Sequence, residues 1–215
     1  MGEVLLIVVG ILIALGISDW YDRRIDRQIE LALLGEIRST LETDLAALET
    51  KLDEINGAVE QMKRLEELLV DPRPYEPEMD RLFGAAYGFR MANVSTASYE
   101  TLKSEGLQSV TNRELRALIA RVFDHHYLLI EEWRQLEKET TYDILRPYYL
   151  QYFKDLRFHK NATPLDYEFI VNDAYFRNMI HYRISSLEFN PMDSYPEAIR
   201  DMRTAIARID EEIAR

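Results

Sequence analysis

The stretch Gly2 to Trp20, GEVLLIVVGILIALGISDW, decides how the rest of the chain is read. From Val4 to Ile17 every residue is apolar or glycine. That is about 14 residues, or roughly 21 Å of helix. A hydrocarbon core of about 30 Å asks for about 20 residues, and Met1, Gly2, Ser18 and Trp20 extend the run to a marginal span. Trp20 and Tyr21 are aromatics suited to the headgroup level, and Arg23, Arg24 and Arg27 follow at once, the order of a membrane exit. The stretch therefore predicts a transmembrane anchor over residues 1–20. A cleaved signal peptide would put basic residues before the run and a small-residue site after it, and Ser18-Asp19-Trp20-Tyr21 is a poor site. A core helix of a soluble domain would show a polar face, and this run has none.

Within the anchor, Gly10, Ala14 and Ser18 lie four residues apart and form one small-residue stripe. Such a stripe lets a second helix approach closely in a membrane, so it is the expected packing face. Glu3 lies seven residues before Gly10, on roughly the same side. It reads as a carboxylate at the water boundary. Placed deeper it would be a functional intramembrane group.

The remainder is charged and water-loving. The 38 acidic residues outnumber the 26 basic ones, for a net charge of -12, which argues against a nucleic-acid partner. There is no cysteine, hence no disulfide, thiolate metal site or cysteine nucleophile. The length fits one anchor and one sizeable domain, residues 21–215.

The periodicity is helical nearly everywhere, with no convincing strand, and predicts an all-α fold. No proline occurs before Pro72, so the anchor is expected to continue into a long helix over 21–70, with Gly35 a possible break. Leu41, Leu45, Leu48, Leu52, Ile55, Val59 and Met62 step four and three, the seam of a coiled coil or bundle helix. These seven are expected to be buried within the same chain, mainly against Leu115–Trp133 and Ile199–Ile213. The alternative is a seam facing identical copies. Asp71-Pro72-Arg73-Pro74 should end the helix. Residues 71–111 read as short helices and loops, with Pro77 in a first turn, Ser95 or Thr96 a cap and Gly106 a stop. Thr111 or Asn112 should cap a long helix over 112–146, stopped or kinked at Pro147. Residues 147–193 form an aromatic segment, with a loop over 158–165 and a helix from Asn172 or Asp173 to about Leu187. Pro191–Pro196 should break the chain, with Ser194 capping a final helix over 194–215. Three long helices with complementary stripes, plus the shorter helix ending near Leu187, suit an up-down bundle of about four helices.

GEVLLIVVGILIALGISDWYDRR resembles the opening of an uncharacterised family of bacterial single-pass membrane proteins. Those carry a Gly-Glu-rich apolar segment ending in Ile-Leu-Ile-Ala-Leu, then a polar residue, a Trp and basic residues. Ala97-Ser98-Tyr99-Glu100-Thr101-Leu102-Lys103-Ser104-Glu105-Gly106, with Asn112 and Leu115, is similar to that family's second segment. The matches span about the first 45 residues and Ala97 to about Trp133. The resemblance implies membrane attachment and a helical domain, and no activity. The family pattern also places a Lys/Arg-rich stretch before Gly-Glu, where this chain has Met1.

Candidate chemistry is sparse. His125 and His126 point about 100° apart on a helix and cannot chelate one ion together. One should face the core and the other water. His159 and His181 could join one of them, but no His-x-x-x-His or Glu-x-x-His spacing is present, so no metal and no cofactor is expected. Tyr142, Tyr148, Tyr149, Tyr152, Tyr167, Tyr175 and Tyr182 read as core packing with hydroxyls at its edge, the alternative being an aromatic pocket. No nucleophile elbow, phosphate loop or zincin helix occurs, so no enzyme is expected.

The sequence thus leads to a non-enzymatic, membrane-anchored helical protein that is a structural or interaction subunit of a membrane assembly. Its partners would be the bilayer and either its own copies or a larger complex. The alternatives are a ligand-binding sensor at the membrane surface and an ion- or proton-conducting assembly using Glu3. The expected location is a bacterial inner membrane. Arg23, Arg24 and Arg27 after the span favour a cytoplasmic domain. The family's upstream basic stretch favours an extracytoplasmic one, and the reading leans that way.

Overall fold

A computed structural model of the protein describes residues 2–215, with side chains for residue 7 and residues 10–215. Helix α1 (Gly2–Val70) is one uninterrupted helix of 69 residues, about 104 Å long. Gly35 does not break it, because the helix on either side is held by packing. α1 stops where Asp71-Pro72 begins, as proline requires.

A short 3₁₀ turn at Pro77–Met79 leads into α2 (Asp80–Ala85), and α3 (Ala97–Glu105) ends at Gly106 with φ 96°, a conformation that favours glycine. Thr96 stands before α3 without a side-chain cap. Asn112 caps α4 (Arg113–Arg121), its Oδ1 accepting from the backbone N–H groups of Glu114 and Leu115 at 3.2 Å each.

From α4 the path stays helical through a π turn at Val122–His126, α5 (Tyr127–Glu139), a second π turn at Thr140–Leu145 and α6 (Arg146–Tyr152). The second turn precedes Pro147 and absorbs the hydrogen bond that the proline cannot donate. This is why Pro147 does not stop the helix.

Residues 153–164 form an antiparallel hairpin, β1 (Phe153–Arg157) and β2 (Asn161–Pro164), where the sequence read as helix end and loop. The strands are short and irregular in register, so neither shows an alternating pattern long enough to read. After α7 (Tyr167–Asn172) comes α8 (Ala174–Leu187), capped by Asp173 as expected. The expected break at Pro191–Pro196 does not occur. A third π turn, Glu188–Met192, takes in Pro191 and continues into α9 (Asp193–Ile213). Ser194 caps nothing; its hydroxyl donates back to the Asn190 carbonyl at 2.7 Å.

The architecture is therefore helical, built on three rods rather than four helices. The α8–α9 rod runs antiparallel to α1: Arg177 bonds Leu69, His181 meets Glu66, Lys63 pairs Glu188, Arg203 pairs Glu49 and Asp210 pairs Arg38. The α4–α6 rod runs with α1, from Thr111 on Glu30 to Tyr127 on Asp44. It lies antiparallel to α9 through Arg208–Glu114 and Arg121–Asp201.

The heptad seam is buried inside this single chain. Leu41, Leu48, Ile55, Val59 and Met62 are buried, while Leu45 and Leu52 are partly so. Each fully buried side chain contributes roughly 1.5–3 kcal/mol of burial. Of the two expected neighbours, α9 is the main one, through Ala198, Ile199, Met202, Ala205 and Ile209. Helices α2, α3 and α8 supply much of the rest. The Leu115–Trp133 stretch packs chiefly across α9 and reaches α1 through the Tyr127 hydroxyl.

Candidate functional site

The N-terminal part of α1 stands clear of the bundle. Ile7, Ile11, Leu12, Ile13, Leu15 and Ile17 are each 55–63% exposed, around the whole circumference of the helix. Gly10, Ala14 and Ser18 are exposed as well, and a Cβ at Gly10 would meet nothing within 4 Å. Glu3 lies outside the described side chains. Among the described residues no helix is long and apolar enough to cross a membrane.

The aromatic and basic residues that follow divide into two kinds. Trp20 and Tyr21 are exposed, Arg24 lies over the Trp20 ring at 5.7 Å, and Arg23 pairs with Asp19 at 2.9 Å along the helix. Arg27 is instead drawn into the domain. Its guanidinium bonds Glu30 at 2.6 Å, the Glu212 carbonyl at 2.6 Å and the Glu212 carboxylate at 3.1 Å. Glu30, buried, also accepts from the Thr111 N–H and hydroxyl. Glu212 takes Asn112 and Arg215. This neck ties the end of α9 and the start of α4 to α1. The carboxylates, Glu30 foremost, hold Arg27 above its usual value, and Asn112, Arg215 and Arg27 hold Glu212 below its own.

The histidines are scattered. His126 is buried with Nε2 3.0 Å from Asp201 Oδ2, and His125 is exposed, the division expected from their 100° separation. Burial would raise the Asp201 carboxyl, but His126 and Arg121 outweigh it and hold the group below its usual range. His181 meets Glu66 at 2.7 Å. Among the described residues no group of three or more ligating side chains could hold a metal ion.

The tyrosines pack. Tyr148 and Tyr149 are buried, the first bonding Asp173 and the second the Phe83 carbonyl at 2.8 Å. Tyr149 stacks on Tyr87 and Phe153, and Tyr148 on Phe176. Tyr152 and Tyr167 flank this cluster, Tyr167 donating to the Arg73 carbonyl at 2.6 Å. Tyr142, Tyr175 and Tyr182 are exposed.

A group that the sequence reading missed lies beneath these rings. Arg183 is fully buried. Its Nη2 donates to Glu137 at 2.7 Å and to the Gly88 carbonyl at 2.5 Å, and Nη1 reaches Thr141 at 3.4 Å. Glu137 also accepts from the Arg90 backbone N–H at 3.1 Å. The Arg90 guanidinium, itself only 5% exposed, donates to the Ala85 carbonyl at 2.6 Å. Among the described residues it meets no carboxylate in an ion pair. The Nε atoms of both arginines are buried without a partner. Of the two guanidiniums, only that of Arg183 pairs with Glu137, which meets Arg90 at its backbone N–H alone. Burial, then Arg183, lowers Arg90 to about 10.

A signal for this group was present. Arg183 occupies an inward position of the stripe Phe176, Met179, Ile180, Arg183, Ile184 and Leu187. Glu137 follows Ile130 by seven residues. A charge on an apolar face is the pattern of a buried, paired group.

Beside this knot a groove of about 720 Å³ opens between α1, α2 and the hairpin, lined by Glu54, Gln61, Arg81, Arg90, His159 and Lys160. The hairpin builds one wall. It sits so close to α2 that a Cβ at Gly84 would fall 2.2 Å from the Asn161 nitrogen. The His159 N–H bonds the Tyr87 carbonyl at 2.9 Å, and Phe158 stacks on Tyr87. Gly88, at φ 128°, leaves room for the His159 ring. Partial desolvation, then Arg90, Arg183 and Lys51, push that imidazole down to about 4, although the residue as a whole is exposed.

The molecule is thus a helical protein with an apolar helical extension and a cationic core group under a docked hairpin. The chain belongs to the family of unknown function DUF6090, which matches residues 3–182. The match is consistent with an uncharacterised family, and membership brings no activity with it. No curated protein and no solved structure matches the chain.

Proposed function

We propose that the protein is a non-enzymatic, single-pass membrane protein of the bacterial inner membrane, acting as a structural or interaction subunit of a membrane assembly. One observation carries this reading: an apolar segment exposed on every side of a helix that runs on into a well-packed domain. A helix apolar all round needs an apolar surrounding. Residues left in water would each forgo roughly 1.5–3 kcal/mol of burial. Lipid supplies the surrounding, and the Gly10–Ala14–Ser18 stripe supplies a face for a second helix. Trp20, Tyr21, Arg23 and Arg24 then stand at the headgroup level, whereas Arg27 serves the neck.

The test is flotation of the full chain with phospholipid vesicles. The chain should float and resist extraction at alkaline pH, and a variant lacking residues 2–20 should stay at the bottom of the gradient. A full chain that stays below with the variant overturns the membrane reading. Because the chain lacks cysteine, Ser18→Cys gives a single reporter for helix association. Crosslinked dimers in vesicles support the stripe as a self-packing face, and their absence removes self-association through it. Protease access in sealed vesicles reads the side of the domain, for which the extracytoplasmic placement is proposed.

A further inference from the structure

The groove beside the hairpin combines features that the membrane reading does not use. Arg90, nine-tenths buried, lines it with a guanidinium that has no carboxylate in an ion pair and an Nε without a partner among the described residues. Glu137 and Glu54 attract Arg90 only from a distance; a buried cation with no carboxylate in contact is costly, and an anion beside it relieves that cost. Arg81 and Lys160, both exposed, stand on the rim and form no ion pair among the described residues. The one carboxylate of the lining, Glu54, is already held by Lys51. Behind Arg90, Glu137 is committed to Arg183. The groove therefore carries an excess of positive charge in a chain whose net charge is -12.

We propose that this groove binds a small soluble molecule through a carboxylate or phosphate group, held by Arg90 at its base and by Arg81 and Lys160 at its rim. The guanidinium fork and the rim ammonium match the donors that such oxyanions take. The groove is wide enough for a group larger than the bare anion. The His159 imidazole, held low by partial desolvation and then by Arg90, Arg183 and Lys51, is the internal reporter. A bound anion cancels part of the field of those cations and lets the imidazole titrate higher. The proposal stands on the groove alone and does not depend on membrane attachment.

The experiment uses the full chain in detergent, with inorganic phosphate and succinate as probes and chloride at matched ionic strength as the control. Calorimetry reads binding, and the His159 ring resonance reads its titration midpoint. Saturable heat with either probe, with a His159 midpoint raised by at least half a pH unit, supports the proposal. The double variant Arg81→Gln/Lys160→Gln leaves the buried knot intact and should weaken binding at least tenfold. No saturable heat with either probe overturns the proposal. So does a midpoint shift that chloride reproduces, or binding unchanged in the double variant. Arg90→Lys keeps the charge but loses the fork, and should weaken binding while the fold, read by circular dichroism, persists. Unchanged affinity there would remove Arg90 from the site.

Discussion

The neck and the knot are both built from arginine and glutamate, yet they differ in balance and in access to water. At the neck, Arg27 and Arg215 meet Glu30 and Glu212, two against two, and Arg27 keeps about a third of its side chain exposed. In the knot, two buried guanidiniums stand by one buried carboxylate, Glu137, which pairs with Arg183 and reaches Arg90 only through its backbone N–H. A balanced cluster at the water's edge is screened and contributes modestly. A sealed cluster one anion short has no solvent to make up the difference, so each remaining contact matters more. The neck clamps helices together, and the knot leaves unmet demand for negative charge.

The sharpest way to break this comparison is Glu137→Ala. It leaves the buried Arg183 guanidinium with no carboxylate and the Arg90 backbone N–H with no acceptor, and should cost about 3–5 kcal/mol in denaturant unfolding. A loss below about 1 kcal/mol would show that the knot is hydrated and no different from the neck. Next is Gly84→Ala, which sets a methyl against the Asn161 backbone. The hairpin must move, at about 1–3 kcal/mol, and the amide resonances around His159 should shift. Unchanged resonances would mean that the hairpin is not seated on α2.

Smaller effects are expected at the neck. Asn112→Ala removes both the α4 cap and a bond to Glu212, and should cost about 1 kcal/mol. A loss as large as that of Glu137→Ala would erase the distinction between the two clusters. Smallest is Arg23→Ala, which breaks an exposed pair with Asp19 and should change stability by less than about 0.5 kcal/mol. A larger loss would mean that the segment before the neck packs on the domain.

The long-range order of the fold was largely legible. Leu41 to Met62, spaced by threes and fours, gave the buried face of α1, and Asn112, Asp173 and Gly106 marked ends through chemistry that acts locally. The prolines misled. Pro147 read as a stop or kink and Pro191 as a break because the rule concerns regular α-helix, and a π turn before the first and around the second relieves the missing donor. The hairpin escaped because its strands are held by docking on Gly84, Tyr87 and Gly88, far away in sequence. The groove escaped with it, since Arg81, Arg90, His159 and Lys160 meet only once the hairpin is seated. Arg183 was different, because its inward position in an apolar stripe could have been read.

The continuity of α1 has a geometric consequence. With no proline and no break from Gly2 to Val70, the azimuth of the Gly10–Ala14–Ser18 stripe is indexed to the azimuth of the bundle. Deleting Ile25 or Asp26 would turn the N-terminal segment by about 100° and draw it in by about 1.5 Å, leaving the Arg27 contacts of the neck in place. The helix is in that sense a keyed shaft. Whatever surface meets the stripe also fixes the compass bearing of the hairpin and its groove, some 65 Å further along the axis.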